Sequence, residues 1–475
     1  MNDISPMPSA AGSVQDLGQR FLGFTADRPQ LRRKAHFEPF FQQVQKVTPS
    51  VCGVPLEVKD PVQPWPVWID PALNRELGTT AVGLTQLFRT LPQRFFGGDA
   101  TAVADFLGLD ATTVAMLLAE PHLLDQTLCR GDFLLTTSGP KLLELNLGNL
   151  GGWQFSALEA LYLERPDVIE FLGQERLIPH TAGSIGALFR HVLGHALKHP
   201  LATAASPGPL NILIVVSNQG ATSFASHPRR LYQRELLSAL KELAPGRAVR
   251  LQLARVQDLA FPGGEVHVNG VRYHAVIEQN DTEASREIFR SFKAGQIHCY
   301  TSPHGMVLGD KRWLALLSSQ SESPLFTDEE RALIRRAIPW TREVSPRATV
   351  FRGLELPLPK LLQRHRTELV LKAGQGYGGA QVHVGRALPE AEWQTLVKQA
   401  LEEGSWIAQE YLEPVMPVLQ DGDDGTAPHR IVWGLMVFGE TYGGPYLRLA
   451  PERLGAVVNV ARGARVGLAL EVAGG

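Results

Sequence analysis

The run Asn211-Ile-Leu-Ile-Val-Val constrains the fold more than any other stretch of this sequence. A short unbroken apolar run describes a strand buried on both faces, the pattern of a parallel sheet covered by helices. Before it, residues 199–209 (HPLATAASPGP) form a proline- and alanine-rich connector that reads as a domain boundary. After it come a loop (Ser217-Asn-Gln-Gly), an amphipathic helix near Leu231–Leu243, and strand candidates at 249–254 and 271–278. Residues 210–300 are therefore expected to form a small α/β unit around a parallel sheet.

At 475 residues the chain exceeds one ordinary core, so the class is α/β (α+β) and multidomain. The first 30 or so residues are polar and weakly patterned, and read as a loose arm. Helical periodicity dominates from about 79 to 200, with Asp110 as an N-cap before Ala-Thr-Thr-Val-Ala-Met-Leu-Leu. Within it, Phe133-Leu-Leu-Thr and Lys141-Leu-Leu-Glu-Leu-Asn flank a Ser-Gly-Pro turn, which reads as a β-hairpin. Beyond 340 the pattern becomes strands and glycine turns: Leu369-Val-Leu-Lys, GQGYGG, then Gln381-Val-His-Val. A helix over 390–403, the strand Trp406-Ile-Ala-Gln-Glu-Tyr-Leu and further strands from Arg430 follow. Asp421-Gly-Asp-Asp-Gly-Thr is an acidic turn or mobile loop. The divisions are 1–200 (helical, contributing the hairpin), 210–300, and 301–475 with a lid at about 340–412.

A formal net charge of −2 gives no electrostatic reason for nucleic acid or an anionic membrane as partner. Three scattered cysteines form neither a disulfide framework nor a metal spacing. The start lacks a signal-peptide pattern, and no apolar run is long enough to span a bilayer. The expected compartment is the cytoplasm.

Lys372-Ala-Gly-Gln-Gly-Tyr-Gly-Gly contains a formal GxGxxG match at Gly374, Gly376 and Gly379. No helix opens at it and no Lys-Ser/Thr follows, so neither a dinucleotide fingerprint nor a Walker loop fits. It is either a plain tight hairpin or one whose amides, with Lys372, cover phosphates. In Arg130-Gly-Asp132 and Glu144-Leu-Asn146 the period of two sets Glu144 and Asn146 on one face, which Asp132 joins if the strands pair. These are hard oxygen donors suited to Mg²⁺, or else polar residues of an edge hairpin. His191, His195 and His199 read as a solvated helix face, Arg229, Arg230 and Arg234 as a surface charge cluster, and Cys129 as a small buried residue.

Together these blocks resemble the ATP-grasp ligases. Arg-x-Asp-Phe with Glu-x-Asn is similar to their metal-binding end, and the block from Leu369 to Gly379 to their phosphate-covering loop. Trp406–Leu412 resembles the hinge strand that holds adenine, and Asp310-Lys311 with Ile338-Pro-Trp-Thr the segment whose lysine touches phosphate. Arg430, Arg448 and Asn459-Val-Ala-Arg-Gly resemble the later strands facing the triphosphate. The metal block comes first here, as in the circularly permuted branch that includes glutathionylspermidine-synthetase-like proteins. Ala373 stands where a proline is common, and no amidase half is present.

The resemblance implies a permuted ATP-grasp core with a lid, using ATP and Mg²⁺, with Mn²⁺ as a substitute. Asp132, Glu144 and Asn146 are then metal ligands and Arg130 and Arg448 catalytic. Lys311, Lys372, Gly376, Tyr377, Gly378, Gly379, Gln409, Glu410, Tyr411, Leu412, Arg430 and Asn459 hold the nucleotide. The strand 141–146 is placed beside those of 430–462. The implied reaction phosphorylates a small-molecule carboxylate and joins the acyl group to an amine, with a peptide or carrier protein as other candidate partners. The alternatives are a carboxylate–thiol ligase loading a carrier protein and a nucleotide-binding protein without catalysis.

Overall fold

The computed structural model describes residues 10–26, 61–119, 125–199, 208–218, 229–279, 281–301, 304–376, 381–421 and 425–474. Its central element is an eight-stranded sheet. The strands run Val67–Ile69, Arg465–Gly474, Thr441–Pro451, Gly425–Phe438, Leu128–Thr136 and Gly139–Gly148, with Val418–Asp421 and Leu177–His180 attached to the side. Strands from both halves of the chain thus share one sheet. The strand 141–146 does not lie directly beside those of 430–462. The hairpin docks through its first strand, so Leu128–Thr136 intervenes and pairs with Gly425–Phe438.

One face of this sheet is buried by the helix Pro71–Phe96. Asp70 caps it by accepting from the Leu73 amide at 2.7 Å, Pro71 opens it, and Gly97 at φ 62 ends it. Leu73, Leu77, Ala81, Leu84, Phe88 and Leu91 recur at helical spacing on its inner side and pack on Phe133, Leu145, Leu435 and Leu447. A Cβ on Gly78 would sit 2.8 Å from the Tyr442 ring, so a glycine is needed for helix and sheet to approach. The other face carries Arg130, Asp132, Glu144 and Arg448, and lines the cleft described below.

The expected small α/β unit is present. Val249–Arg255, Leu210–Val216, Ala275–Glu278 and Cys299–Tyr300 are all parallel, and every residue of Leu210–Val216 is buried. Helices Ser184–Lys198 and Arg229–Leu243 cover one face and Ser285–Lys293 the other. A third, antiparallel sheet joins Thr341–Glu343, Trp406–Glu410, Leu369–Ala373 and Val382–Val384. With helices Leu358–Arg364 and Glu390–Glu403 it encloses its own core around Trp393, Trp406 and Leu361.

The N-terminal arm is not loose where it is described. Ala10–Ala26 is a helix whose Val14, Leu17, Phe21 and Phe24 are buried, the last three against Trp65, Trp68 and Phe171. Its large apolar residues Val14, Leu17, Phe21 and Phe24 are the buried ones, spaced three or four apart. The solvated histidine face is also corrected. His191 is half-buried with Nε2 3.1 Å from the Gln126 carbonyl, and His199 stacks on His298 at 4.2 Å. Cys129 is buried, and burial pushes its thiol up to about 11. Most of the 199–209 connector, the side chains of Arg229 and Arg230, and residues 422–424 of the acidic turn lie outside the described residues. No described helix is long and apolar enough to cross a membrane.

Burial sets one stability expectation. His304 is wholly buried against the Leu117 carbonyl, and burial pushes its pKa down to about 4. A folded value below the unfolded one, about 6.5, means that its contribution is complete above pH 6.5 and fades as pH falls toward 4. His304→Gln should therefore flatten the loss of stability on acidification by about 2 kcal/mol near pH 5. Urea midpoints of the two proteins that fall in parallel with pH would refute this.

Candidate functional site

A β-bulge shapes one wall of the site. Asp132 pairs with Glu144 and Arg130 with Asn146, after which the register slips and Phe133 faces Leu142. Leu143 is the extra residue. Leu142 and Leu145 therefore remain in the core while Leu143 and Glu144 both line a cleft. The bulge also leaves the Leu143 carbonyl to accept from Lys372 Nζ at 3.2 Å. The facing wall comes from the third sheet, through Val370, Lys372, Val382, Val384 and Gln409. Leu134, Leu143, Val432 and Val458 complete an apolar slot at one end.

Charge is concentrated at the other end. Arg130 Nε lies 3.0 Å from Asp132 Oδ1 and Arg448 Nη2 lies 2.6 Å from Asp132 Oδ2. Burial favours the neutral acid, yet the two guanidinium groups overcome it and hold the Asp132 carboxyl well below the usual range. Lys311 Nζ is 3.2 Å from Glu144 Oε2 and also donates to the Gly376 carbonyl at 3.2 Å. Lys372 is wholly buried and donates to Gln409 Oε1 at 2.6 Å. Burial, reinforced by Lys311 and opposed by Glu144 and Asp132, pushes the Lys372 amine down to about 8.

Two carboxylates thus face Arg130, Arg448, Lys311 and Lys372, and Arg430 stands beside them. Arg430 Nε and Nη1 and Arg448 Nε are buried without a hydrogen-bond partner among the described residues. Buried donors of a cation left without acceptors are expensive, so the cleft is built for an anion that supplies them. Among the described residues no three His, Cys, Asp or Glu side chains converge as a metal cage. A cation here would depend on Glu144, Asp132 and the amide oxygen of Asn146, whose nitrogen points to Asp132 Oδ2 at 3.4 Å, and on oxygens brought by a ligand.

The remaining expected site residues are placed as follows. Gln409 Nε2 donates to Thr341 Oγ1 at 3.2 Å. The Glu410 carboxylate takes Arg352 Nη2 at 3.0 Å, and the Arg386 guanidinium covers the Tyr411 ring at 3.8 Å. Leu412 and Asn459 line the cleft. Tyr377, Gly378 and Gly379 lie outside the described residues. Arg130, Asn146, Lys311 and Gly376 line a second cavity, on whose far side are Asn149 and Asp281. Thr341, the last residue of the Ile338-Pro-Trp-Thr block, carries no role of its own in the sequence, and the cluster Asn149, Glu278, Tyr300 and Thr301 forms no motif there. The one available signal was a glutamate ending the apolar run of a buried strand.

No protein-family model matches the chain, and no curated protein sequence matches it. Among solved structures, the apo form of a glutathione synthetase-like effector from Globodera pallida aligns with a TM-score of 0.51. The alignment is at 11% identity and covers 96% of this chain and 97% of that one. The chain therefore shares an overall fold with a synthetase-like protein over nearly its whole length. A candidate gamma-glutamylcysteine synthetase from Methylobacillus flagellatus KT aligns at a TM-score of 0.35 and 13% identity, covering 81% and 84%. That likeness is too loose to argue from.

Proposed function

We propose that the protein is an ATP-dependent ligase of the ATP-grasp kind that activates a carboxylate as an acylphosphate and joins it to an amine. The observation that carries this reading is the set of partnerless buried guanidinium nitrogens of Arg430 and Arg448 in one cleft with Lys372 and Glu144. An apolar slot ending in an excess of buried cations fits a flat base followed by a polyphosphate. The synthetase-like fold supports the same class. The order of the blocks, with the oxygen-donor hairpin before the lysine strand, is read as circular permutation.

In this reading the base lies between Val370, Val382 and Val384 on one side and Leu134, Leu143 and Val432 on the other. The Leu412 amide has no hydrogen bond among the described residues and is the available donor of the 410–412 stretch. Lys372, Lys311, Arg430 and Arg448 offset phosphate charge. Mg²⁺ or Mn²⁺, held by Glu144, Asn146 and Asp132, would add charge neutralisation when bound. Asp132 is occupied by two arginines, so Glu144, whose partner is a single exchangeable lysine, is the principal ligand.

The substrate carboxylate attacks the terminal phosphorus, the bond to the bridging oxygen breaks, and ADP leaves. The amine then attacks the acyl carbon, phosphate departs, and the nitrogen loses a proton. Arg130 lies between the two cavities and stabilises charge on the transferring group. The third sheet with its separate core is the candidate lid that excludes water from the acylphosphate. Screening carboxylates for ADP release, with hydroxylamine as trap, tests this reading. Failure to form ADP or hydroxamate with any carboxylate, in a protein that binds ATP, would leave a nucleotide binder.

The Lys372 amine gives a second test. Phosphate beside it favours the protonated form, so its pKa rises from about 8 on binding. At about pH 8.5 ATP binding should take up a proton, and affinity should fall as pH climbs further. Calorimetry in buffers of different ionisation heat measures this uptake. Equal uptake by Lys372→Met would assign it elsewhere.

A further inference from the structure

The second cavity has a polarity that the nucleotide does not explain. Its near wall carries Arg130 and Lys311, which pair with the Asp132 and Glu144 carboxylates that line the cleft, and its far wall carries Asn149 and Asp281. The far wall lies at the carboxyl end of the small parallel sheet. There Leu210–Val216 is flanked by Val249–Arg255 on one side and Ala275–Glu278 on the other. Successive strands are added first on one side of Leu210–Val216 and then on the other, and the crevice outside such a switch point is where open α/β sheets seat ligands. Asp281 follows the end of Ala275–Glu278 by three residues.

Asp281 is held in place but not neutralised. Asn149 Nδ2 donates to Asp281 Oδ1 at 3.0 Å, and no cationic side chain pairs with this carboxylate among the described residues. The other carboxylate of the cavity wall, Asp310, is already matched by Arg312 at 3.0 and 2.7 Å. Asn149 is fixed in turn. Its amide nitrogen lies 2.7 Å from Glu278 Oε2 and 3.1 Å from the Tyr300 hydroxyl, and its oxygen accepts from Thr301 Oγ1 at 2.7 Å. Glu278 is wholly buried and also accepts from Ser285 at 2.6 Å and from Tyr300 and Thr282. A buried network of this size orients one asparagine, which aims one aspartate. The Asp281 side chain reaches solvent through the cavity while protein surrounds it on its inner side, and burial raises its carboxyl.

We propose that this cavity is a second substrate site, in which Asp281 receives a protonated primary amine while the reacting end of the substrate points to Arg130 and Lys311. This rests on the ligase reading above. One Asp281 oxygen is taken by Asn149, which leaves a single-point acceptor suited to an ammonium rather than to the paired donors of a guanidinium. A divalent cation is the poorer fit, since no third oxygen- or nitrogen-bearing acid, thiol or imidazole joins it among the described residues. The ammonium belongs either to the acyl donor, as in a free amino acid or peptide, or to the acceptor before it is deprotonated for attack.

The test uses two probe sets on the full chain in the presence of a non-hydrolysable ATP analogue. Amino-acid amides carry the amine without the carboxylate, and N-acetyl amino acids carry the carboxylate without the amine; free amino acids and dipeptides carry both. Calorimetry should show binding of amine-bearing probes that Asp281→Asn weakens by roughly 10- to 100-fold, with affinity for the ATP analogue unchanged. Hydroxylamine trapping then separates the sources. A raised KM in hydroxamate formation from free amino acids or dipeptides assigns the ammonium to the donor. A raised KM for the amides alone assigns it to the acceptor. The proposal is overturned if no amine-bearing probe binds the wild type, or if Asp281→Asn binds them equally well. Amine binding lost in the variant, without ADP formation in the wild type, would overturn the ligase reading instead.

Discussion

Lys372→Met should weaken ATP binding by roughly 10- to 100-fold without destabilising the fold. In the wild type the amine is wholly buried against two neutral acceptors, the Leu143 carbonyl and Gln409 Oε1. Those bonds hold it in place but return little of its hydration, so its pKa is pushed down to about 8. The amine's folded pKa lies below its unfolded value, so at neutral pH the folded state resists its charge, and this penalty disappears as pH rises through about 8 to 10.5. Removing the charge should therefore hold or raise the melting temperature while affinity collapses. A residue with a purely structural role would behave in the opposite way. Calorimetry and thermal unfolding on one preparation separate the two. Unchanged affinity in a folded variant would remove Lys372 from the phosphate site.

The Gln409 contacts show why this lysine is placed so well. The Thr341 hydroxyl donates to the Pro339 carbonyl at 3.0 Å, so its oxygen must accept from Gln409 Nε2. That fixes the amide with its oxygen toward Lys372.

The parts of the fold legible in the sequence were those whose pattern is local. The apolar run 211–216 announced a strand buried on both faces, and the run Leu369–Lys372, the glycine turn and the alternation in Gln381–Val384 announced the hairpin that pairs Lys372 with Val382. Period two placed Glu144 and Asn146 on one face, and their pairing with Asp132 and Arg130 added those two. The bulge at Leu143 was not legible, because an extra residue in a strand leaves no mark in a run of leucines. The helix 10–26 was hidden for a different reason: its core partners Trp65 and Phe171 are remote in sequence. Asn149 and Asp281 stayed invisible because neither sits in a pattern, and only tertiary packing brings the loop after one hairpin to the end of another sheet's strand.

Glu144→Gln should lower turnover by roughly 100-fold or more while leaving the hairpin folded. Glutamine keeps the shape and one acceptor oxygen but loses the formal charge that makes Glu144 the principal metal ligand. The same carboxylate is the partner of Lys311 at 3.2 Å, and this gives the substitution a signature of its own. Without it, Lys311 loses its counter-charge and turns more fully to phosphate, so ATP affinity measured without divalent cation should hold or tighten. Affinity measured with Mg²⁺ should fall, and turnover should recover in part at high Mg²⁺ or with Mn²⁺. Titrating ATP with and without metal, and turnover against both ions, reads all of this. A variant that loses ATP affinity equally in both conditions would show that Glu144 braces the cleft through Lys311 alone. Unchanged turnover would remove it from the metal set.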